Sequence, residues 1–337
     1  MSVAAQTAHE APARPYVWRL PPGFPVPPVP ADNPMTEEKV ELGRRLFYDR
    51  RLSGNGTQSC ASCHAQALAY TDGRARATGS TGELHERSAP SLANVAYAPV
   101  LTWTDARVRK LEAQALIPLL GTEPVEMGVA GREAEVRQRL EDDPALQDLF
   151  RRSFPEPQPV SFGNVARALA AFQRTLISGR SPFDAFVFDG QADALTPPAR
   201  RGLALFQSSR LGCTTCHHGL TMAGHAAASA SGGLDLRRLF RNTGVGPARE
   251  RFRIPTLRNV AVTAPYMHDG SLPTLEAVID HYAGSRGGGR QGRDPLLRSF
   301  ALSARERDDL IEFLRSLTDA TFLADARSAD PAALTLP

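Results

Sequence analysis

The stretch Cys60–His64 reads CASCH, and the stretch Cys213–His217 reads CTTCH. Together they hold all four cysteines of the 337-residue chain, and a histidine follows each pair at once. Two thiols separated by two residues can add to the two vinyl groups of one haem, and the next imidazole then reaches the iron. The motifs predict two covalently bound haem c groups, with His64 and His217 as iron ligands. The thioether attachment sites are the four cysteines, Cys60, Cys63, Cys213 and Cys216.

Two other interpretations of the CxxC pairs are a shared zinc site and a thioredoxin-like redox pair. A zinc site gives no reason for a histidine after both pairs, and a thioredoxin motif should open a helix after a buried strand. With haem attached, no thiol remains for a disulfide. Because bacteria attach c-type haem outside the cytoplasm, we expect a periplasmic protein, although the first residues of this chain lack the apolar core of an export signal.

Composition limits the classes of partner. The formal net charge is +3, and no basic block with interleaved aromatic residues stands out, so we expect no nucleic-acid partner. No run approaches the roughly 18 apolar residues that span a bilayer, so we expect no membrane insertion. The length and the 42% hydrophobic content favour two medium-sized cores.

A helix followed by a CxxCH motif occurs twice. TEEKVELGRRLFYD (36–49) precedes the first motif and TPPARRGLALFQSS (196–209) precedes the second, with GRRLF matching GLALF. Two further helices, 161–178 and 303–317, should each close one domain, the latter through a capping box of Ser303 and Glu306. Strand signals are weak, and the glycine-rich stretch 283–293 should be a loop.

The pattern predicts a mainly α fold, with two cytochrome c-like haem domains, long loops and little β structure. The predicted boundaries are an extended proline-rich lead over residues 1–34, an N-terminal haem domain over 35–185 and a C-terminal haem domain over 186–337. The lead is too rich in proline for a helix or a central strand.

The order of the motifs resembles the bacterial di-haem cytochrome c peroxidase superfamily, and in particular its MauG/MbnH-like branch. The resemblance runs from about Pro15 to about Thr318 and is carried by the two CxxCH motifs, by LTWTDARVRKLEAQALIPLLGTEPVEMG (101–128) and by FRIPTLRNVAVTAPYMHDGSLPTLEAVIDHY (252–282). It implies an enzyme that uses hydrogen peroxide to form a bis-Fe(IV)-like state and oxidises a tryptophan of a partner protein. Two alternatives are a peroxidase that reduces hydrogen peroxide to water with electrons from a small cytochrome or cupredoxin, and a di-haem electron carrier.

Four side chains in the stretch 264–284 could hold the second iron, namely Met267, His268, His281 and Tyr282. Spacing alone leaves the choice open, because class I cytochromes often supply a methionine some tens of residues after CxxCH. The resemblance implies Tyr282, fourteen residues after His268. A bound phenolate would favour the oxidised states of iron. In the alternative, Met267 is the ligand and Tyr282 only packs on the porphyrin.

The resemblance also implies a distal pocket for the N-terminal haem, formed by Gln114, Pro118 and Glu126. Glu126 would be the acid/base that moves a proton during peroxide cleavage. In the alternative, it is an exposed loop glutamate. His85 is off register with the displaceable distal histidine of classical relatives, so the iron should be five-coordinate without prior reduction. Met127 as a sixth ligand would instead make the chain an electron carrier.

Three further roles follow from the resemblance. Trp103 matches a tryptophan between the two haems that lets charge hop between the irons. Arg258 is expected to pair with a haem propionate. Thr263 and Pro265 match the backbone positions of an interdomain calcium ion, although Ser88 replaces the asparagine of the usual pattern.

Overall fold

The computed structural model describes residues 13–224, 235–284 and 293–333. In this part of the chain ten α-helices and a single two-stranded antiparallel sheet are present, so the predicted mainly α fold is confirmed. No helix among these residues is long and apolar enough to cross a bilayer. The predicted loop at 283–293 lies almost wholly outside the described residues.

The helices are α1 (Glu37–Tyr48), α2 (Leu111–Leu120), α3 (Glu133–Glu141), α4 (Pro144–Ser153), α5 (Phe162–Arg174), α6 (Pro182–Val187), α7 (Pro197–Gln207), α8 (Leu275–Ala283), α9 (Ala304–Arg315) and α10 (Ala320–Leu323). The strands are β1 (Phe240–Arg241) and β2 (Phe252–Arg253). Short 3₁₀ turns occur between them, among them Cys60–Ser62 and Cys213–Thr215 at the two motifs.

The helices that precede the motifs begin and end where the sequence predicts. Thr36 caps α1 by accepting a hydrogen bond from the Lys39 amide, and Thr196 caps α7 in the same way. The predicted closing helices are α5 and α9, and the capping box of Ser303 and Glu306 is present at α9. These local signals were sufficient because caps and amphipathic faces depend on residues within one or two turns.

A glycine in each copy of the repeat lets two helices cross closely. A Cβ atom added at Gly43 of α1 would lie 1.9 Å from the carbonyl oxygen of Ala168 in α5. One added at Gly202 of α7 would lie 1.9 Å from the carbonyl oxygen of Asp309 in α9. The shared glycine of GRRLF and GLALF therefore marks the same helix crossing in both halves.

We expect Gly43→Ala to lower the free energy of unfolding by about 1–3 kcal/mol, because the backbones at the crossing must move apart. Gly163→Ala is a matched control in α5, where the nearest outside atom, Ser161 Oγ, is 3.9 Å from the added carbon. It should raise the free energy of unfolding by about 0.5–1 kcal/mol. Denaturant unfolding of the haem-loaded variants measures both values, and equal effects of the two substitutions would contradict the close crossing.

Two apolar clusters form the main cores. The N-terminal cluster includes Leu42, Leu46, Phe47, Leu119, Leu140, Phe150, Leu169 and Phe172. The C-terminal cluster includes Phe206, Leu211, Ile279, Leu310, Phe313, Leu314 and Leu317. Each joins the helix before a CxxCH motif to the helix that closes the same half.

The last described segment returns to the N-terminal half. Phe322 of α10 packs in the N-terminal cluster. Gln66 Nε2 donates hydrogen bonds to the Asp325 carbonyl at 2.9 Å and to Ser328 Oγ at 3.1 Å. The boundary predicted at 185/186 stays a prediction, and this segment crosses back over it.

The described part of the proline-rich lead lies across both halves without forming a helix. Phe24 is 6% exposed, and the Arg258 guanidinium lies 5.0 Å from the centre of its ring. Tyr97 donates a hydrogen bond to the Pro25 carbonyl at 2.7 Å, and Asn33 donates one to Glu112 at 2.7 Å. These contacts hold the lead on the surface of the helices.

Candidate haem sites

Each CxxCH motif folds as one tight turn. In the first, the amide of His64 donates to the Cys60 carbonyl at 3.0 Å, and in the second that of His217 donates to the Cys213 carbonyl at 2.9 Å. The turn brings both thiols and the imidazole of a motif together. This is the donor set that a covalent c-type haem requires.

The surroundings of both motif histidines favour the neutral imidazole, which is the form that can bind iron. His64 Nδ1 lies 2.7 Å from the Tyr70 carbonyl oxygen, and His217 Nδ1 lies 3.0 Å from that of Met222. Because a carbonyl oxygen only accepts, each Nδ1 carries the proton and each Nε2 keeps its lone pair. Burial lowers the pKa of both imidazoles, which also favours the neutral form. The residues present therefore fit a haem at each motif.

A largely apolar cavity lies beside the second motif. Its walls include Cys213, Cys216 and His217 together with Tyr282. Apolar side chains supply much of the remaining wall, including Phe206, Leu211, Phe252, Ile254, Leu257, Val260, Leu275, Ile279 and Leu314. An apolar pocket with a few convergent polar groups suits a porphyrin.

The four side chains considered for the second iron lie in different places. Tyr282, Met267 and His268 are part of the cavity wall, whereas His281 bonds through Nε2 to the Thr243 carbonyl at 2.9 Å. Burial raises the pKa of Tyr282 to about 12, and the neighbouring Cys216 contributes to the shift. The phenol shares the cavity wall with Cys213, Cys216 and His217 of the second motif. The roles of Tyr282 and Met267 as ligands stay predictions.

A loop over residues 77–85 holds Glu126. The Ser80 amide donates to the Glu126 carbonyl at 2.7 Å. Gly79 has to be glycine here, because an added Cβ would lie 1.8 Å from the Val125 carbonyl oxygen. Asn55 and Gln58, which lie just before the first motif, donate hydrogen bonds to backbone carbonyls of this loop. The first motif and Glu126 are thus connected through the loop.

The Glu126 carboxyl group lies near His85 and interacts electrostatically with the thiols of the first motif. Burial raises the pKa of the Cys60 and Cys63 thiols, and the charge of Glu126 contributes to both shifts. Its Oε1 lies 4.0 Å from His85 Nε2, and its side chain is 39% exposed. Burial also raises the pKa of Glu126 itself to about 7. A carboxyl group with such a pKa can accept and return a proton near neutral pH.

Gln114 and Pro118 lie on α2, next to the Glu126 segment. The Pro118 carbonyl accepts a hydrogen bond from the Met127 amide at 2.9 Å. Met127 is 5% exposed and packs in the N-terminal cluster. The structure thus connects α2 with the residue that follows Glu126, and the distal roles of Gln114 and Pro118 stay predictions.

Trp103 connects the two halves. Its indole Nε1 donates to the Ser88 carbonyl at 2.9 Å, and the Ser88 amide donates to the His268 carbonyl at 2.8 Å. The Arg253 guanidinium lies 5.8 Å from the centre of the Trp103 ring. Trp103, Ser88 and His268 all line the cavity of the second motif, so the indole lies where residues of the two halves meet.

Comparison with known proteins is consistent with this geometry. The model of a family described as di-haem cytochrome c peroxidase matches residues 37–193, and the cytochrome c model matches residues 199–318. The methylamine utilization protein MauG of Methylorubrum extorquens is 40% identical over 313 residues, which cover 92% of this chain and 84% of that protein. The chain belongs to the di-haem cytochrome c peroxidase family.

Further relatives place it in the MauG-like branch of the family. A crystal structure of a MauG-like protein associated with microbial copper homeostasis superimposes with a TM-score of 0.86 at 39% identity, covering 94% of this chain and 99% of that chain. The cytochrome c peroxidase Ccp of Escherichia coli is 33% identical over 302 residues, covering 87% of this chain and 61% of that protein. This di-haem peroxidase is an oxidoreductase with two covalently bound haem c groups, and it acts with hydrogen peroxide and a protein partner.

Arg258 of this di-haem peroxidase is buried and pairs with an aspartate. Its side chain is 1% exposed, with Nη1 2.7 Å from Asp184 Oδ1. Its Nε donates to the Leu220 carbonyl at 2.7 Å. The role of Arg258 as a propionate partner stays a prediction. Arginines that do line the cavity are Arg74, Arg241, Arg253 and Arg298.

The positions predicted for a calcium ion are Thr263 and Pro265, with Ser88 in place of the usual asparagine. Ser88, Thr263 and Pro265 line one cavity. Ser88 Oγ is already engaged, since it donates to the Met267 carbonyl at 3.2 Å. Calcium in this di-haem peroxidase stays a prediction.

The structure adds three residues to the site, namely His85, Asn55 and Gln58. The spacing of His85 argues only against a role as an iron ligand, whereas the structure places this residue beside Glu126. The polar run GNGTQ before the first motif was the available signal for the two residues that hold the loop. Nothing in the sequence indicated that their partner lies more than twenty residues further along.

Proposed function

We propose that this di-haem peroxidase uses hydrogen peroxide to oxidise a tryptophan residue of a separate protein in the periplasm. The observation that carries the proposal is Tyr282, which shares a buried cavity with His217 and both thiols of the second motif. An anionic phenolate ligand stabilises oxidised over reduced iron. A site of that kind is suited to withdrawing electrons from a side chain that is difficult to oxidise.

The side chains at the first motif would handle the protons. A haem held at each motif would supply an iron that changes its oxidation state, and the haem held by Cys60, Cys63 and His64 would be the one that reacts with peroxide. Glu126 accepts the proton of the near peroxide oxygen and donates it to the far oxygen, which leaves as water. Gln114 and Pro118 shape the same pocket from α2. His85 Nε2 lies 4.0 Å from Glu126 Oε1, and burial lowers the pKa of this imidazole, so His85 is a neutral neighbour of the carboxyl group.

Trp103 would carry charge between the two halves. Its hydrogen bond to Ser88 fixes the indole, and the Arg253 cation lies near its ring. A nearby positive charge disfavours a positive charge on the indole. Trp103 is therefore oxidised only briefly during charge transfer and does not retain the oxidising equivalent.

The test uses the haem-loaded protein, stoichiometric hydrogen peroxide and a periplasmic extract from the source organism. Mass spectrometry should find a tryptophan of one extract protein oxidised towards kynurenine, and only when both enzyme and peroxide are present. If peroxide is consumed with a reduced small cytochrome while no tryptophan changes, the proposal fails.

That second outcome would favour the peroxidase alternative. One observation supports it specifically, since Met267 lines the same cavity as Tyr282. A thioether ligand raises the reduction potential of a haem and suits one that receives electrons from a donor protein. Relatives named cytochrome c peroxidase also match most of this chain.

A further inference from the structure

A group of aromatic residues connects the first motif with the surface on the side of its histidine. Tyr70 follows His64 by six residues, and its carbonyl accepts the His64 Nδ1 hydrogen bond at 2.7 Å. Its side chain is fully buried. Its φ of 62° is in the left-handed region, which bulky residues rarely adopt. The surrounding contacts therefore hold this phenol in place at an energetic cost.

Ring contacts continue from the histidine outward. The ring of Phe47 is centred 6.5 Å from that of His64, 5.9 Å from that of Tyr70 and 5.3 Å from that of Tyr48. These separations are those of directly packed aromatic side chains. Because electron transfer slows steeply with distance, such a contiguous group is a faster path than the surrounding aliphatic core. Tyr48, the outer member, is partly exposed.

Both phenols share one hydrogen-bond acceptor. Tyr48 Oη donates to the Ser328 carbonyl at 2.8 Å, and Tyr70 Oη donates to the same oxygen at 3.3 Å. Gln66, two residues after His64, holds this returning segment through Ser328 Oγ at 3.1 Å. The two phenolic oxygens are thus fixed next to each other by a residue more than 250 positions away.

The returning segment also forms one wall of a surface cleft. The cleft has a volume of about 1000 Å³ and is lined by Ser328 and Phe322, with Tyr16 and Trp18 of the lead among its other walls. The rings of Tyr16 and Trp18 meet edge to face at 5.1 Å. Charged side chains form much of the remaining wall, among them Glu41, Arg44 and Asp325, and the cleft adjoins the two phenols through Ser328.

We propose that Tyr70 and Tyr48 form a redox relay through which the N-terminal haem domain draws electrons from small phenolic donors that contact the partly exposed Tyr48. The relay rests on the peroxide chemistry of the family and not on the oxidation of a partner tryptophan. It is a second route for electrons, distinct from the route through Trp103.

The electrons and protons that pass through the relay match those that the reduction of peroxide requires. One hydrogen peroxide takes up two electrons and two protons and leaves as two waters. Each electron that Tyr70 gives to the haem domain is replaced from Tyr48, so that Tyr70 ends with its proton and electron restored. The net change is the loss of one electron and one proton from Tyr48, whose proton passes to water at its partly exposed side. The resulting Tyr48 phenoxyl radical regains one electron and one proton from a donor phenol. Two donor molecules are thus converted to phenoxyl radicals per peroxide.

The test treats the haem-loaded protein with peroxide and a nitroxide-forming spin trap, without donor, and locates the trapped adduct by mass spectrometry. The adduct should lie on Tyr48, and freeze-quenched samples should show a tyrosyl radical signal by electron paramagnetic resonance. With 4-methoxyphenol as donor, Tyr48→Phe should slow donor oxidation roughly tenfold. Tyr97→Phe is the matched control, because that buried phenol donates to a single carbonyl at 2.7 Å and has no ring contact with Phe47 among those observed.

Tyr70→Phe provides a second variant that keeps the ring but loses the hydroxyl. It should lower the labelling of Tyr48. If Tyr48→Phe does not bind haem, this second variant still tests the relay. Labelling at Tyr97 with none at Tyr48, or unchanged phenol oxidation in both variants, would overturn the relay. Partner oxidation should persist in both variants, so failure of the relay and failure of the proposed function give different results.

Discussion

Replacement of Glu126 with glutamine is expected to slow the reaction of the ferric protein with hydrogen peroxide by about 10²–10⁴-fold, the range for loss of a positioned acid/base. The amide has nearly the same shape but cannot accept the peroxide proton. The backbone contact through the Ser80 amide does not involve the side chain, so the loop should stay in place. Stopped-flow absorbance of the haem bands measures the rate directly.

The pH dependence gives an independent readout of the same residue. Burial raises the pKa of Glu126 to about 7, so the carboxylate that accepts the proton accumulates as the pH rises through 7. The rate should therefore increase with pH and level off above that value. In Glu126→Gln this inflection should vanish. His85 should not replace it, because burial lowers the pKa of that imidazole.

Glu123→Gln is the matched control for this experiment. Glu123 is exposed and lies three residues from Glu126, so its replacement removes the same charge from the same loop. Its rate and pH profile should be those of the unmodified protein. If Glu126→Gln reacts as fast as Glu123→Gln, then Glu126 is a loop glutamate without a catalytic role.

Replacement of Tyr282 with methionine is expected to raise the reduction potential of the C-terminal haem by on the order of 0.1 V or more. The substitution exchanges an anionic oxygen for a neutral thioether in an apolar cavity, which favours the reduced iron. The variant should lose partner oxidation while it still reduces peroxide with electrons from a small donor. Spectroelectrochemical titration gives the potential, and mass spectrometry follows the partner.

Tyr266→Phe is the matched control for the tyrosine ligand. Tyr266 lines the same cavity, but its hydroxyl donates to the Val260 carbonyl at 3.0 Å. Its replacement removes a phenol from the wall without removing the proposed ligand, so the potential should stay unchanged. An unchanged potential in Tyr282→Met as well would mean that Tyr282 only packs against the haem, and Met267 would then be the ligand to test.

The helices and the C-terminal segment show which features of the fold the sequence patterns could and could not predict. The patterns located α1, α5, α7 and α9 because caps and apolar faces are encoded within a few residues. They did not indicate that Phe322 packs in the N-terminal cluster, since an isolated apolar residue near a terminus has no local signature of its partner. The domain boundary predicted at 185/186 therefore does not account for the packing of this C-terminal segment on the N-terminal half.

The sequence by itself determined the two covalent haem motifs and their preceding helices, because the spacing of two thiols and an imidazole is a local property of the backbone. Only the tertiary structure decided which polar groups meet. It placed Glu126 beside His85 and turned Arg258 towards Asp184, 74 positions away. Pairings of this kind, and the burial that raises the pKa of Glu126, depend on distances across the packed chain that no local pattern encodes.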